Sequence, residues 1–483
     1  MREDVIREGD ALPPRWVWRR LGEISTIVRG ITFPKDERSD QPQPGLIACL
    51  RTTNVQAEVD WEDLWFVPEH FVRRQEQHVQ PYDILISTAN SLELVGKVAL
   101  VKNMPRPASL GAFISLLRVA PDLDPVYVYH QIAWSETQSL LHGWASTTTN
   151  ISNISTSKLA DLPIRIAPLP EQRRIVAEIE KQFTRLDTGV AALKRVQVNL
   201  RRYRASVLKA ACEGRLAPQD PTDEPADRLL ARILVERRAR WEAEHPGKKY
   251  VEPAAPVSDG LPELPERWCW ASLGQLAWDS GYGTSQKCDY EASGPPVLRI
   301  PNIAKGRIDL NDLKCATLSD ELNYAEALTP GDLIIVRTNG SKDLIGRSAV
   351  VRDTFVEPHF FASYLIRFRL LAAPSVPEWL GTVWNAPLIR RQIEGIAATS
   401  AGQYNVSMGG LSKLSMPLPP LPEQHRIVAE VERRLSVVAA LEATVAANLA
   451  RAGRLRQAVL KRAFEGRLVA QDESAEVLSA RVR

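Results

Sequence analysis

The feature that most constrains this 483-residue chain is a repeat of its own sequence at an offset of 252 positions. Residues 170–178 read Pro-Glu-Gln-Arg-Arg-Ile-Val-Ala-Glu, and residues 422–430 read Pro-Glu-Gln-His-Arg-Ile-Val-Ala-Glu. The match continues without a gap to Glu-Gly-Arg-Leu at 213–216 and 465–468. A repeat on this scale decides the architecture, because each copy is expected to fold into the same kind of unit.

Each copy predicts one long helix. Pro170 and Pro422 stand just before a first turn that contains Glu, and Gly214 and Gly466 lie where a C-terminal cap is expected. Between them, apolar residues recur at alternating spacings of three and four, the heptad pattern of a coiled coil. About 43 residues at about 1.5 Å each give a rod of about 65 Å. Two such rods in one chain most simply pair with each other.

The predicted seam, meaning the heptad positions along which the two helices meet, is apolar in both copies. It comprises Ile179, Phe183, Leu186, Val190, Leu193, Leu200 and Val207 in the first copy, and Val431, Leu435, Val438, Val445, Leu449 and Val459 in the second. Gln197, Arg204, Glu442 and Arg456 interrupt it, and either fix the register of the pair or mark where the seam drifts. The alternative is two unrelated surface helices, which the gapless repeat disfavours.

The repeat also covers the sequence before each helix. Residues 12–18 read Leu-Pro-Pro-Arg-Trp-Val-Trp and residues 264–270 read Leu-Pro-Glu-Arg-Trp-Cys-Trp, again 252 positions apart. We expect these alternate tryptophans to bury against each globular core rather than to stack on bases. Turn-then-strand patterns return at 81–86 and 330–335, each followed by a polar loop. Frequent proline and glycine favour short strands and loops with a few helices.

The sequence therefore predicts an α+β protein in which two globular regions of short strands and helices are separated by two long antiparallel coiled-coil helices. The predicted boundaries are 1–165 and 262–417 for the globular regions, 166–216 and 418–472 for the long helices, 217–261 for a linker with a helix near 227–244, and 473–483 for a tail that resembles the start of the linker.

Charge and cysteine content exclude some classes of protein. The net charge of +3 says little about partners, although residues 171–215 carry eleven Lys or Arg against five Asp or Glu. Such a basic surface is either a solvated face or a sign of a nearby polyanion. The five cysteines form no Cys-x-x-Cys pair, so neither a zinc site nor a disulfide framework is indicated. A charged N-terminus and the lack of a long uncharged run predict a cytoplasmic protein without a membrane span.

Two variable globular regions that alternate with two near-identical helices, each introduced by Leu-Pro-Glu-Gln, resemble the specificity subunit of type I restriction–modification enzymes. The resemblance covers essentially the whole chain. It implies that this chain has no active site or cofactor, and that two modification subunits dock on it and methylate adenine with S-adenosylmethionine. Restriction subunits would add translocation and cleavage that use ATP and Mg. Apolar helix residues off the seam, such as Tyr203, Leu208, Leu455 and Leu460, are the expected docking faces.

The sequence carries few signs of catalysis. Residues 340–348 resemble a phosphate-binding loop, but one residue too many separates the glycines and Arg347 stands where lysine belongs. A loop between strands is the favoured interpretation. The seven histidines show no His-x-x-x-His pairing, so no metal site is predicted.

The polar loops carry residues suited to double-stranded DNA. Reading a base edge requires Arg or Lys for guanine, Asn or Gln for adenine and hydroxyls for either, while phosphates are held by Lys, Arg and short hydroxyls. The predicted DNA-binding residues are Lys35, Arg38, Arg51, Asn54, Thr88, Asn90 and Asn150 in the first region, and Lys287, Arg299, Asn302, Arg337, Asn339, Gln403 and Asn405 in the second. For each one, the alternative is that it only caps a turn.

The hypothesis that unites these patterns is a reader of split DNA sequences. Each globular region would read one half of an asymmetric bipartite target, and the helix pair would set the gap, since half-sites on one side of a duplex recur at about 34 Å. Two alternatives come from other classes: a self-contained DNA methyltransferase or nuclease with unrecognised motifs, and a coiled-coil scaffold without a nucleic-acid role.

Overall fold

The computed structural model describes residues 12–148, 151–257, 259–303, 306–317, 322–372, 374–400 and 402–470. It divides into two compact units, Met1–Lys194 with Ala446–Arg483, and Arg195–Val445. Each boundary between the units falls inside a long helix, Leu169–Cys212 or Leu421–Phe464, both of 44 residues. The predicted long helices are therefore confirmed, and each unit contains one globular region and a segment of both helices.

The first unit is built on three small sheets and a two-stranded ribbon. The main sheet has four strands in the order Ser25–Arg29, Ile114–Val119, Ile84–Ser87, Val98–Leu100. The second sheet has three strands in the order Trp65–Pro68, Leu46–Leu50, Ala108–Leu110. The third has the order Ser146–Thr147, Ser152–Asn153, Ala89–Asn90. The ribbon pairs Val17–Arg20 with Pro163–Ile166. Its short helices are Leu21–Ile24, Pro125–Ala133, Ser135–Trp144 and Thr156–Ala160, with 3-10 turns at Lys35–Glu37, Thr52–Asn54, Glu69–Phe71 and Gln75–Gln77.

The second unit repeats this plan with one additional strand, Cys288–Asp289, so that its second sheet has four strands rather than three. Its main sheet has the strand order Ala277–Tyr282, Leu365–Leu370, Asp332–Val336, Ser348–Val350, and its second sheet has the order Cys288–Asp289, Lys314–Ala316, Pro296–Leu298, Phe360–Phe361. The third sheet has the order Thr338–Asn339, Gln403–Asn405, Ala398–Ser400. The ribbon pairs Cys269–Ser272 with Ser415–Leu418. Its short helices are Ala226–Glu244, Leu273–Leu276, Ile300–Ile303, Ser375–Val383, Pro387–Ile396 and Met408–Ser412, with a 3-10 turn at Tyr324–Glu326. The weak sequence likeness of the globular regions thus reflects one shared topology.

The Pro-Glu-Gln motif fixes the start of each long helix to its own globular region. In the first unit, the indole N–H of Trp16 donates to Glu171 at 3.2 Å and the buried amide of Gln172 donates to the carbonyl of Ala167 at 2.8 Å. In the second unit, Trp268 donates to Glu423 at 2.9 Å. Trp16 and Trp268 are buried, as predicted, whereas Trp18 and Trp270 are only half-buried. These contacts are a physical reason for the strength of the repeat at this point.

Within each unit the two long helices run antiparallel. In the first unit, Arg174 donates to the carbonyl of Ala470, and Asp187 pairs with Arg456. Residues farther along the first helix therefore contact residues nearer the start of the second. In the second unit, Arg204 pairs with Glu442 at 3.0 Å. Three of the four polar residues at heptad positions, Arg204, Glu442 and Arg456, therefore form ion pairs between the two helices.

The predicted seam residues are buried or half-buried throughout. Ile179, Leu200, Val207, Val431, Val438, Val445 and Val459 are buried, and Phe183, Leu186, Val190, Leu193, Leu435 and Leu449 are half-buried. The prediction of the docking faces is wrong for two of its four residues. Leu208 and Leu460 are buried in the cores of their units, because each helix end packs on a globular region, whereas Tyr203 and Leu455 are exposed.

The predicted linker helix is present at Ala226–Glu244 and belongs to the second unit. Leu229 and Ile233 are buried against that unit's core, and the guanidinium of Arg237 donates to the carbonyls of Gly274 and Ala277 at 3.2 and 2.9 Å. The linker is thus a structural part of the second globular region. The tail predicted at 473–483 lies outside the described residues.

One described helix is apolar enough to cross a membrane by length and composition alone. Leu421–Phe464 contains an 18-residue window of mean hydropathy 1.3, of which 17% is buried. A single such helix is weak support for a membrane span, and this one carries seam residues that pair with the other long helix.

Candidate nucleic-acid interface

The predicted polar loops form the same small sheet in both units, which we call the polar sheet. In the first unit, Ala89–Asn90 pairs with Ser152–Asn153, which pairs with Ser146–Thr147. The sheet is fastened at one end by Thr88, whose N–H donates to the carbonyl of Phe113 at 2.9 Å and whose carbonyl accepts from Ile154.

The second unit builds its polar sheet with matching bonds. Thr338–Asn339 pairs with Gln403–Asn405, which pairs with Ala398–Ser400. The N–H of Arg337 donates to the carbonyl of Tyr364 at 2.9 Å, and its carbonyl accepts from Val406. Because the backbone bonds match, each position in one polar sheet has an equivalent in the other: Thr88 with Arg337, Ala89 with Thr338, Asn90 with Asn339, Ser152 with Tyr404, and Asn153 with Asn405.

The side chains of the second polar sheet gather polar groups around an aromatic ring. The Arg337 guanidinium lies 4.6 Å over the ring of Tyr282, and its Nε is buried without a hydrogen-bond partner. The Asn405 side chain accepts from the hydroxyl of Thr338 at 2.7 Å. Gln403 is exposed. Sequence reasoning named Arg337, Asn339, Gln403 and Asn405, and the fold brings all four together.

The first polar sheet is less rich in charge. Asn90 is half-buried and its side-chain oxygen accepts from the N–H of Ser91 at 2.9 Å, so that oxygen caps a turn, as the Asn339 oxygen does at Ser341. Thr88 is 8% exposed and its hydroxyl donates to the carbonyl of Phe113 at 3.2 Å. Its burial removes Thr88 from the candidate reading residues. Asn150 lies outside the described residues.

A second cluster in each unit surrounds an arginine held by an asparagine. The side-chain oxygen of Asn54 accepts from the N–H of Arg51 at 2.8 Å, and its amide donates to the carbonyls of Asp60 and Asp63. Asn302 makes the equivalent bonds with Arg299, Asp309 and Asp312. Asn54 and Asn302 are buried and their amides are used within the fold. They shape a turn, which is the alternative that the sequence left open, and the candidate interface does not include them.

The arginines of these clusters sit beside aromatic rings. Arg51 pairs with Asp63 at 2.6 Å and lies 4.5 Å from the ring of Trp65, over which Arg38 also lies at 4.3 Å. Arg299 pairs with Asp312 at 3.2 Å and lies 5.5 Å from the ring of Tyr290. Lys35 and Lys287 are exposed. The three arginines suit phosphate contacts, since their positions are set by stacking and ion pairs rather than by a base-sized recess, and the two exposed lysines carry charge that suits the same contacts.

Sequence reasoning missed several residues of the candidate interface. The exposed Asn153 is equivalent to Asn405, and the repeat of Asn-Ile-Ser at 153–155 as Asn-Val-Ser at 405–407 was the available signal. The aromatic residues Tyr282, Phe113 and Tyr364 were also missed, because a single aromatic residue in a loop has no spacing to mark it.

In the described part of the chain, no three His, Cys, Asp or Glu side chains are grouped so as to hold a metal ion. Burial raises the pKa of the Cys49 and Cys212 thiols to about 12 and lowers the pKa of His130 to about 3. In the loop that resembles a phosphate loop, Lys342 pairs with Glu394 at 3.5 Å.

Comparison with known proteins gives a consistent picture. Residues 13–193 match the model of the type I restriction modification DNA specificity domain. The chain is 27% identical over 462 residues to the type I restriction enzyme EcoKI specificity subunit of Escherichia coli (strain K12), covering 95% of this chain and 90% of that protein. It is 28% identical to the StySPI specificity subunit of Salmonella potsdam, with the same coverage of 95% and 90%.

A solved structure shares the fold. The chain superposes on a subunit from work described as "Structural basis underlying complex assembly and conformational transition of the type I R-M system", with a TM-score of 0.59 and 20% identity, covering 95% of this chain and 99% of that one. At this level of identity the likeness concerns the architecture alone.

Proposed function

We propose that this chain, which is similar to the specificity subunits of type I restriction–modification enzymes, is such a subunit, and that its two globular regions read the two halves of an asymmetric bipartite DNA target. The observation that carries the proposal is the pair of polar sheets with matching backbones, in which three of five equivalent side chains differ. The cation Arg337 has no counterpart in the first polar sheet, where the buried Thr88 stands, and Ser152 stands where Tyr404 stands. One backbone frame with two sets of side chains suits two unlike half-sites.

The chemistry of the second polar sheet indicates how its half-site is read. A guanidinium held by a ring presents paired donors to the O6 and N7 acceptors of guanine, and the amides of Gln403 and Asn405 suit adenine. The stacked cations Arg38, Arg51 and Arg299, with Lys35 and Lys287, hold phosphates and orient each region on the duplex. The paired helices set the number of base pairs between the half-sites.

A test of the divided reading uses a chimaera. Residues 1–165 are replaced by the equivalent region of another family member, and the methylome of cells that express the chimaera with a modification subunit is sequenced. Only one half of the methylated target is expected to change, and a change in both halves would contradict the proposal.

In the intact chain, Arg337→Ala is expected to relax the base preference at one position of the half-site read by the second globular region. Arg337→Lys is expected to retain only part of that preference, because lysine lacks the bidentate fork of arginine.

We propose further that two modification subunits dock on equivalent faces of the long helices. Tyr203 and Leu455 occupy equivalent positions of the repeat and both are exposed, so the same face of each long helix is open to a partner. Deleting 171–214 would unfold both units, because that helix contributes to both cores. The sharper test is Tyr203→Asp with Leu455→Asp, expected to abolish co-purification of the modification subunit, against Lys209→Asp on an exposed face as control.

The catalytic activities of the complex are assigned to the partner subunits. The modification subunits would bind S-adenosylmethionine and methylate adenine, and the restriction subunits would use ATP and Mg to translocate and cleave DNA in the cytoplasm. The isolated chain is therefore expected to show no methyl transfer from S-adenosylmethionine to duplex DNA. Methyl transfer by the pure chain would favour a self-contained methyltransferase instead.

A further inference from the structure

An exposed aromatic side chain stands beside the polar sheet at the same position of both units. Phe113 is 59% exposed and Tyr364 is 53% exposed. Each immediately precedes a central strand of its unit's main sheet, Ile114–Val119 or Leu365–Leu370. The carbonyl of Phe113 accepts from the N–H of Thr88 and of Ala89, and the carbonyl of Tyr364 accepts from Arg337. The backbone that carries each ring is therefore bonded directly to the polar sheet.

The turn that presents each ring is held firmly. Ile114 donates to the carbonyl of Gly111 at 3.0 Å, and Leu365 donates to the carbonyl of Ala362 at 2.9 Å. Gly30 and Gly283 lie against these two turns so closely that a Cβ atom on either would collide with backbone oxygen. Close backbone approach of this kind is a use that only glycine permits. The rings are thus projected outward from fixed backbone, and little ordering entropy would oppose contact with a ligand.

The contrast between shared and unshared residues indicates what the rings do. Around them, three of the five equivalent side chains of the polar sheets differ between the units, among them the buried Thr88 against Arg337 and Ser152 against Tyr404. The other two positions carry asparagine in both units. Side chains that read different half-sites are expected to differ. An aromatic residue at the same place in both suits a task common to both half-sites, and stacking is such a task, since every base has a π-face.

We propose that Phe113 and Tyr364 each act as an aromatic wedge that inserts at a base step of its own half-site and stacks on the base there. The wedge adds affinity without choosing sequence, and the bent or opened duplex brings the polar sheet against the base edges. This inference rests on the proposed DNA-reading function and deepens it, because it separates a residue that supplies binding strength from the neighbours that supply selection.

The test measures binding of the full-length chain, co-purified with its modification subunit, to a duplex that carries the target found by methylome sequencing. Phe113→Ala is expected to weaken binding about 10- to 100-fold, and to do so equally for the cognate duplex and for duplexes with single changes in the first half-site. Phe113→Tyr is expected to bind within about twofold of wild type, because Tyr364 performs the same task in the other unit. Tyr364→Ala should behave likewise for the second half-site.

The matched control is Tyr82→Ala. Tyr82 is 54% exposed but lies at the opposite end of strand Ile84–Ser87 from Thr88, about 20 Å away by strand geometry. The Tyr82→Ala variant is expected to bind the target duplex with the affinity of the wild type. With 2-aminopurine placed at each position of the first half-site in turn, wild type should raise the fluorescence at one position by unstacking it, and Phe113→Ala should not.

The outcomes separate this inference from the function on which it rests. If wild type distinguishes its target from a scrambled duplex but Phe113→Ala binds as tightly as wild type, the wedge is wrong and the reading function stands. If Phe113→Ala loses affinity only when one particular base is present, the ring reads that base and the wedge is again wrong. If wild type does not distinguish the two duplexes, the reading function itself fails.

Discussion

Single buried amides anchor the long helices, and Gln172 shows how. Its Nε2 donates to the carbonyl of Ala167 at 2.8 Å, and its Oε1 accepts from the N–H of Asp124 at 3.0 Å, at the start of helix Pro125–Ala133. The side chain is fully buried, so its loss leaves two backbone groups without a partner and away from water. One glutamine thereby connects the ribbon, a short helix and a long helix.

Gln172→Ala is therefore expected to lower the free energy of unfolding by roughly 2 to 4 kcal/mol. Gln182→Ala on the same helix is the control, because Gln182 is half-buried and bonds only to Glu178 one turn earlier. Its expected effect is within about 0.5 kcal/mol. Urea unfolding followed by circular dichroism measures both. Equal effects from the two variants would show that Gln172 is not an anchor.

At the scale of elements, neighbouring residues of a long helix differ sharply in exposure, depending on whether they face the seam. Val438 is 2% exposed, whereas Val437, one position earlier on the same helix, is 53% exposed. Val438→Asp is expected to cost about 3 kcal/mol or more, since it buries a charge without a partner, and Val437→Asp only about 0.5 kcal/mol. Thermal unfolding of the full chain tests this. A Val437→Asp variant as unstable as Val438→Asp would mean that the seam is assigned to the wrong face.

Elements whose pattern is local were predictable from the sequence, and contacts made at long range were not. Alternating spacings of three and four predicted both long helices, because helix periodicity depends only on neighbours. Asn54 and Asn302 were misjudged because their burial arises from carbonyls six to ten residues away. Leu208 and Leu460 were misjudged because the helix ends pack on globular cores that the heptad pattern does not report.

At the scale of the whole molecule, each compact unit needs two distant segments of the chain. The first unit takes Val459, Leu460, Ala463 and Phe464 from the end of the second helix into the core that contains Ile179. The equivalent end of the first helix supplies Val207, Leu208, Ala211 and Cys212 to the core of the second unit. Because the repeat is gapless here, three of the four exchanged residues are identical. The exception is Cys212 in place of Phe464.

A fragment of residues 1–216 is therefore expected to form a homodimer, in which each copy supplies Val207, Leu208 and Ala211 to the other in place of Val459, Leu460 and Ala463. Cys212 would fit this site poorly, because in the intact chain Phe464 packs its ring 5.3 Å from Tyr127 and 5.9 Å from Trp134. In the fragment, Cys212→Phe restores that ring and is expected to tighten dimerisation more than about tenfold, since burying a phenylalanine is worth about 2 to 3 kcal/mol.

Analytical ultracentrifugation of the fragment measures this, with Lys209→Phe as the control, since Lys209 is exposed on the same helix and should not tighten the dimer. Val207→Asp is expected to abolish dimerisation. A fragment that stays monomeric at micromolar concentration with or without Cys212→Phe would show that the repeat does not make the two helix ends interchangeable. A dimer with two identical readers should also prefer a symmetric DNA target, because asymmetry of the target follows from the difference between the two polar sheets.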